Sequence, residues 1–327
     1  MPVKLANEID CIHAVKFTVD LELSNVLQQR DLLAKLLSKG KTTLVPMPLE
    51  ALVSERFSLK AAPDYPLAAI SANADGLDAH TAYWFRADPV HLILQRDSFS
   101  LGEPVPLSME VEHTQLLVAA LNSHFLSEGL EFMLGNSGNW YLRISEDPKI
   151  QTNLPNVAIS KNIHGYMPQG AYAGKWRSIL NEVQMLFFEH PVNQQRESLA
   201  NVPVNSIWLS GGGYLPAKSD LQNFELLFAD TLLYRGLAEL TGTQCRPVPT
   251  DIETMLVNAY THICLGLGTS ANTDACLNML YEALKDRKVK QLTFNIGVYD
   301  KCLVAEVTTW DLYRFWRSIK PVERFLT

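Results

Sequence analysis

Residues Gln184 to Pro216 read QMLFFEHPVNQQRESLANVPVNSIWLSGGGYLP, and here the polar residues are placed least like a surface. Just upstream, Trp176, Ile179, Leu180, Val183 and Phe187 recur at helical spacing, so the stretch opens on the end of a buried helix. Pro191 disfavours helical geometry at His190 and puts that histidine at a corner. If Pro191 then opens a new helical turn, His190, Asn193 and Arg196 lie along one side of it. Val204 to Leu209 reads as a short buried strand with Asn205 near its start and Gly211, Gly212 and Gly213 directly after its end. Glycines beyond a strand end let backbone N–H groups approach an anion, and in open α/β sheets ligands bind outside the carboxyl ends of strands. The stretch therefore implies an α/β fold and a site for a phosphate or carboxylate. The plainer reading is that His190 caps the preceding helix, Asn205 satisfies loop backbone and the glycines form a flexible turn.

Upstream, Ser24 caps a helix ending at Gly40, and four prolines break Thr42 to Pro66 into loop-like pieces. Leu67 to Ile70 reads as a buried strand running into Ser71 to His80, whose Asp75, Asp78 and His80 suit either a turn or the start of a metal site. Ala82 to Phe85 reads as a strand delivering RADPVHL, Arg86 to Leu92. Asp88 is fixed in an extended corner by Pro89, Arg86 offers a planar donor fork, and His91 can donate or accept. These residues form part of a binding site, or Arg86 and Asp88 pair to hold the corner. The segments Arg86–His91 and His190–Gly213 are expected to converge on one cleft.

Further along, a helix runs from Thr114 to Glu128, with His124 beside its buried stripe, and a hairpin joins FML to WYLRI across Gly135 to Asn139. Beyond the opening stretch, Leu221 to Leu240 reads as a helix and 246–249 as a hinge. A helix at 274–287, paired strands at Leu292–Val298 and Cys302–Val307, and an aromatic C-terminal helix follow. Trp310, Tyr313 and Trp316 of that last helix read as core or interface. The expectation is one continuous α/β unit over residues 1–327.

Of the 327 residues, 47% are hydrophobic and 19% charged, a globular composition, and no apolar run is long enough to cross a bilayer. The net charge of −7 argues against nucleic-acid binding; Lys285 to Lys290, although basic, reads as a solvated helix end. Cys11, Cys245, Cys264, Cys276 and Cys302 form an odd set without a CxxC pair. With no signal peptide read at Met1 to Val15, they fit buried thiols in a cytoplasmic protein.

The run HPVNxxR from His190 to Arg196, then PVNSIWL from Pro203 to Leu209 and the glycines, resembles the matching block of archaeal-type cofactor-independent phosphoglycerate mutases. It resembles still more the bacterial RpfE-type regulatory proteins related to them, whose pattern RADPVHL also matches, and Arg235 to Ala238 matches a further mutase sequence. Ser210 stands where that family has a second tryptophan. The resemblance implies an alkaline-phosphatase-like α/β fold, a central sheet flanked by helices. In active relatives it also implies an N-terminal strand leading to an Asp-Gly metal motif, a Ser or Asp phosphoryl acceptor, and further Asp and His ligands of two metal ions. Met1 to Asp20 shows no apolar strand ending in Asp-Gly, and no histidine follows His262. The expected function is thus a mutase-like protein without metal catalysis that binds a small anionic ligand through Arg86, Asp88, His91, His190, Asn193, Arg196, Asn205 and Gly211 to Gly213. It would need no cofactor, and a protein partner or a homo-oligomer is compatible with a regulatory role. The alternative is an active mutase or phosphatase with Mn or Zn held by Asp75, Asp78, His80, Asp88 and His91.

Overall fold

The computed structural model describes residues 15–256 and 260–326; Cys11 and the segment before Val15 lie outside the described residues. The chain divides into two compact units, Met1–Phe57 with Leu221–Thr327, and Ser58–Asp220. In chain order the first unit opens with β1 (Lys16–Glu22), α1 (Arg30–Lys39), β2 (Lys41–Val45) and α2 (Leu49–Arg56). The second unit supplies α3 (Leu67–Ala74), β3 (Tyr83–Val90), α4 (Val111–His124), β4 (Glu131–Leu134) and β5 (Trp140–Ile144). It continues with α5 (Ala173–Phe188), α6 (Pro191–Ser198) and β6 (Ser206–Gly213). The chain then returns to the first unit through β7 (Leu226–Ala229), α7 (Leu232–Thr241), β8 (Gln244–Arg246), β9 (His262–Leu267), α8 (Ser270–Lys285), β10 (Gln291–Val298) and β11 (Lys301–Thr308).

The first unit is built on a seven-stranded sheet in the order β8-β7-β9-β1-β10-β11-β2. The five strands from β8 to β10 run parallel, and β11 and β2 are antiparallel additions. This is the mixed α/β sheet flanked by helices that the sequence implies. Phe17, Val19 and Leu21 of β1 are wholly buried and Thr18 and Asp20 nearly so, as expected of a strand covered on both faces. Leu33, Leu36 and Leu37 of α1 and Leu277, Leu280 and Leu284 of α8 belong to the same core.

The second unit has its own four-stranded sheet, β6-β3-β5-β4, antiparallel throughout. Its main core joins Phe85 and Leu142 of that sheet to Leu117 and Leu121 of α4 and to Trp176, Val183 and Phe187 of α5. Because this sheet and core close within 58–220, the chain forms two units where one with a hinge at 246–249 was expected. Arg246 instead ends strand β8.

Several local expectations change for identifiable reasons. An apolar run as short as Leu67 to Ile70 suits strand and helix alike, and here it is the buried start of α3. The expected helix 221–240 is strand β7 followed by α7, and the loop expected from Thr42 to Pro66 contains β2 and α2. Gly211 to Gly213 lie inside β6, not in a turn after it. Cys264, Cys276 and Cys302 are core residues whose thiols burial pushes up to about 12.

Candidate functional site

In the second unit, the two segments expected to meet are sheet neighbours, Asp88 lying opposite Trp208 and Arg86 opposite Ser210. His91 Nδ1 is 2.9 Å from the carbonyl oxygen of Pro203, and the Asn205 side chain brackets Leu92, accepting from its N–H and donating to its C=O. The polar groups of the opening stretch are directed at backbone. Asn193 donates to the carbonyls of Phe187 and Val204 and accepts from the Val204 N–H. Arg196, buried, donates to the carbonyls of Val202 and Ser108. His190 is the N-cap of α6, its Nδ1 accepting from the Val192 N–H, and burial lowers its pKa. Asn205 thus satisfies backbone as the plainer reading has it, whereas His190 caps the helix that follows it and not the one before.

One of the glycines, Gly212, does face an anion, and it is the chain's own. The Gly212 N–H donates to the carboxylate of Asp64, which also accepts from the Thr152 N–H and hydroxyl. Burial raises the Asp64 pKa while these donors oppose the shift. A Cβ at Gly213 would come within 2.5 Å of Pro66, and one at Gly212 within 2.4 Å of the Phe85 ring. Close packing alone requires glycine at 212 and 213.

Asp88 lines a cleft of about 530 Å³ together with Ser108, Thr114, Gln115 and the 135–139 hairpin turn. Arg86 pairs with Asp88, Nε at 3.1 Å from Oδ1. Buried Asp75 accepts from the Ser137 N–H and hydroxyl and the Tyr141 hydroxyl, and so fixes that hairpin turn. His91 and Arg196 do not line this cleft, so the two segments adjoin in the sheet without sharing it. The alternative metal set is divided among separate partners: Asp78 accepts from the His80 N–H, Asp75 holds the hairpin, Asp88 holds Arg86 and His91 lies against Pro203. Among the described residues no three His, Cys, Asp or Glu side chains come together to hold a metal.

The other polar concentration lies in the first unit, at the carboxyl ends of β1, β7, β9 and β10, the usual ligand edge of a parallel sheet. Asp20 sits opposite Gly266 of β9 and Asn295 of β10. Its carboxylate is gripped by both terminal nitrogens of Arg56, Nη1 at 3.1 Å, and by the Asn295 amide at 2.7 Å. Burial opposes the charge on Arg56, and its acidic neighbours, Asp20 foremost with Tyr234 and Cys264, together more than offset it, holding the guanidinium above its ordinary pKa. Glycine at 266 leaves room for the Tyr234 ring, since a Cβ there would come within 2.6 Å of it. Two residues along β1, burial and, secondarily, the carboxylate of Glu50 push Glu22 up to about 8. Just beyond β7, Asp230 accepts from the Gly268 N–H, the Thr269 hydroxyl and the Asn272 amide at the start of α8. His262 stands at the opposite, amino end of β9, in register with Lys16 and 2.7 Å from the Thr18 hydroxyl.

No Asp-Gly follows β1, as expected, but the strand itself exists where none was read. Its signal was the alternation of Phe17, Val19 and Leu21, with Asp20 near its end.

The chain is 26% identical over 158 residues to a 2,3-bisphosphoglycerate-independent phosphoglycerate mutase of Methanothrix thermoacetophila, covering 46% of this chain and 40% of that protein. It is 27% identical over 107 residues to the protein so named in Methanosarcina barkeri, covering 32% and 27%. The chain thus spans less than half the length of the curated relatives it matches. A cofactor-independent phosphoglycerate mutase structure from Thermoplasma acidophilum aligns over 90% of this chain and 89% of its own, at 15% identity and a TM-score of 0.39. A Pyrococcus horikoshii protein aligns over 90% and 87%, at 11% identity and a TM-score of 0.46. No protein-family model matches the chain. By sequence it is similar, over part of its length, to phosphoglycerate mutases that work without bisphosphoglycerate.

Proposed function

We propose that this chain is a phosphoglycerate-mutase-like protein that acts by binding, in a regulatory capacity, and not by metal-assisted phosphoryl transfer. The observation that carries the reading is the Asp20–Arg56–Asn295 cluster. A two-metal site holds ions about 4 Å apart, with several ionised ligands around each. At this strand edge, Asp20 is already neutralised by a guanidinium, Glu22 favours its protonated form below pH 8, and Asp230 closes the start of α8. The residues present do not fit a pair of metal ions. Function resides in the site, so the fold can persist when the site is changed.

A coupled mutase assay with added Mn²⁺ tests this. Conversion of 3-phosphoglycerate is expected to stay at background for the wild-type protein. Turnover that disappears in Asp20→Asn overturns the proposal and restores the enzyme reading.

A further inference from the structure

The described C-terminal segment exposes five large apolar side chains, Trp310 (76%), Tyr313, Phe315 (88%), Trp316 (68%) and Ile319. Its helical parts are two short 3-10 turns, Thr309–Tyr313 and Val322–Phe325, in place of the expected aromatic C-terminal helix. Isolated exposed apolar residues are ordinary, but here the exposed rings pair, Trp310 with Tyr313 and Phe315 with Trp316, within one short segment, a mark of an interaction surface.

This surface is held in shape from behind. Lys39, ending α1, donates to the carbonyls of Arg314 (2.6 Å) and Arg317 (2.7 Å). In return Arg314 donates to the Lys39 carbonyl, Arg317 to those of Lys39 and Gly40, and the Lys320 N–H to the Ser38 hydroxyl. Phe315 and Trp316 therefore stand on a clamped backbone, their rings edge to face at 5.2 Å. A side chain displayed this way loses little conformational entropy on binding, which favours aromatic hot spots.

Charge defines the occupant. The chain carries −7 overall, yet Thr309 to Arg324 holds four basic residues, Arg314, Arg317, Lys320 and Arg324, against two acidic ones. Those two, Asp311 and Glu323, lie in ion pairs with Arg314 and Arg30. Beside the aromatic ridge, a concavity of about 370 Å³ is lined by Trp310, Arg287 and Lys290, with Arg287 over the Trp310 ring. A pocket next to a ridge suits a protein segment better than a flat membrane.

We propose that this face docks an acidic segment of a partner protein, with apolar side chains against Trp310, Phe315 and Trp316 and a carboxylate in the concavity by Arg287 and Lys290.

The test is selection of displayed random peptides on the full-length protein, followed by affinity measurement with the synthesised winners. The winners are expected to be rich in Asp and Glu interspersed with Leu, Phe or Trp, and to bind Trp310→Ser/Trp316→Ser at least tenfold more weakly. Unfolding curves matching wild type establish that this variant folds; if it does not, Lys290→Glu serves, with the same expected direction. Winners without acidic bias, or equal binding to the variant, overturn the proposal. So do binding to phosphatidylserine vesicles or to oligo-dT without peptide binding, and self-association through this face in sedimentation equilibrium.

Discussion

The two polar concentrations of this protein differ in what their side chains hold. Around His190 to Gly213, polar side chains hold backbone: Asn193, Arg196 and Asn205 satisfy main-chain carbonyls and N–H groups, and Gly212 meets Asp64. At the carboxyl edge of the first unit, side chains hold one another: Asp20, Arg56 and Asn295 form a charged cluster on a core strand. The first arrangement builds a corner. The second commits charge at the position where a parallel sheet ordinarily receives a ligand.

The comparison breaks most visibly at Arg56. Its removal leaves the fully buried Asp20 side chain without its counter-charge, and breaking a buried pair costs about 3–5 kcal/mol. Urea unfolding of Arg56→Ala is expected to show a loss of this size, and Asp20→Asn/Arg56→Met less than the sum of the two single changes. Additive losses contradict the pairing. In the other region, Asn193→Ala removes three hydrogen bonds to buried backbone groups and is expected to destabilise by about 3 kcal/mol. A loss under about 1 kcal/mol would mean the corner does not depend on it.

A pH titration sharpens the contrast further. Glu22 in the folded chain titrates near 8, above its ordinary value of 4.5. The folded state therefore holds more protons between those values, and stability from this group is full below about 4.5 and falls as pH rises towards 8. The slope is at most about 1.4 kcal/mol per pH unit for one proton. Chemical denaturation across pH 5 to 8 is expected to show the decline in wild type and its absence in Glu22→Gln. His190 carries the opposite sign. Its pKa is lowered, so its contribution is present above the unfolded value of 6.5 and lost as pH falls through the folded one. His190→Ala is expected to cost about 1 kcal/mol at pH 8, typical of a helix cap, measured by the same denaturation.

Much of the second unit was legible in the sequence because its signals are local. The stripe ending at Phe187, Pro191 opening α6 and the hairpin across Gly135 to Asn139 all occur as read. The pairing of β3 with β6 was visible only as similar polar groups at two distant positions. What the sequence hid is non-local. Asp20 and Arg56 are 36 residues apart and Asn295 lies 275 residues from Asp20, so no spacing rule joins them. The glycine run suggested an anion and met one, but the chain supplied it from Asp64, a residue with no local motif.

Manganese binding by the wild-type protein, followed by calorimetry or electron paramagnetic resonance, tests most directly whether Asp20 serves an arginine or a metal. The account predicts no pair of ions at micromolar Mn²⁺ and the same trace for Asp20→Asn. Two bound ions per chain, lost on Asp20→Asn, would contradict it.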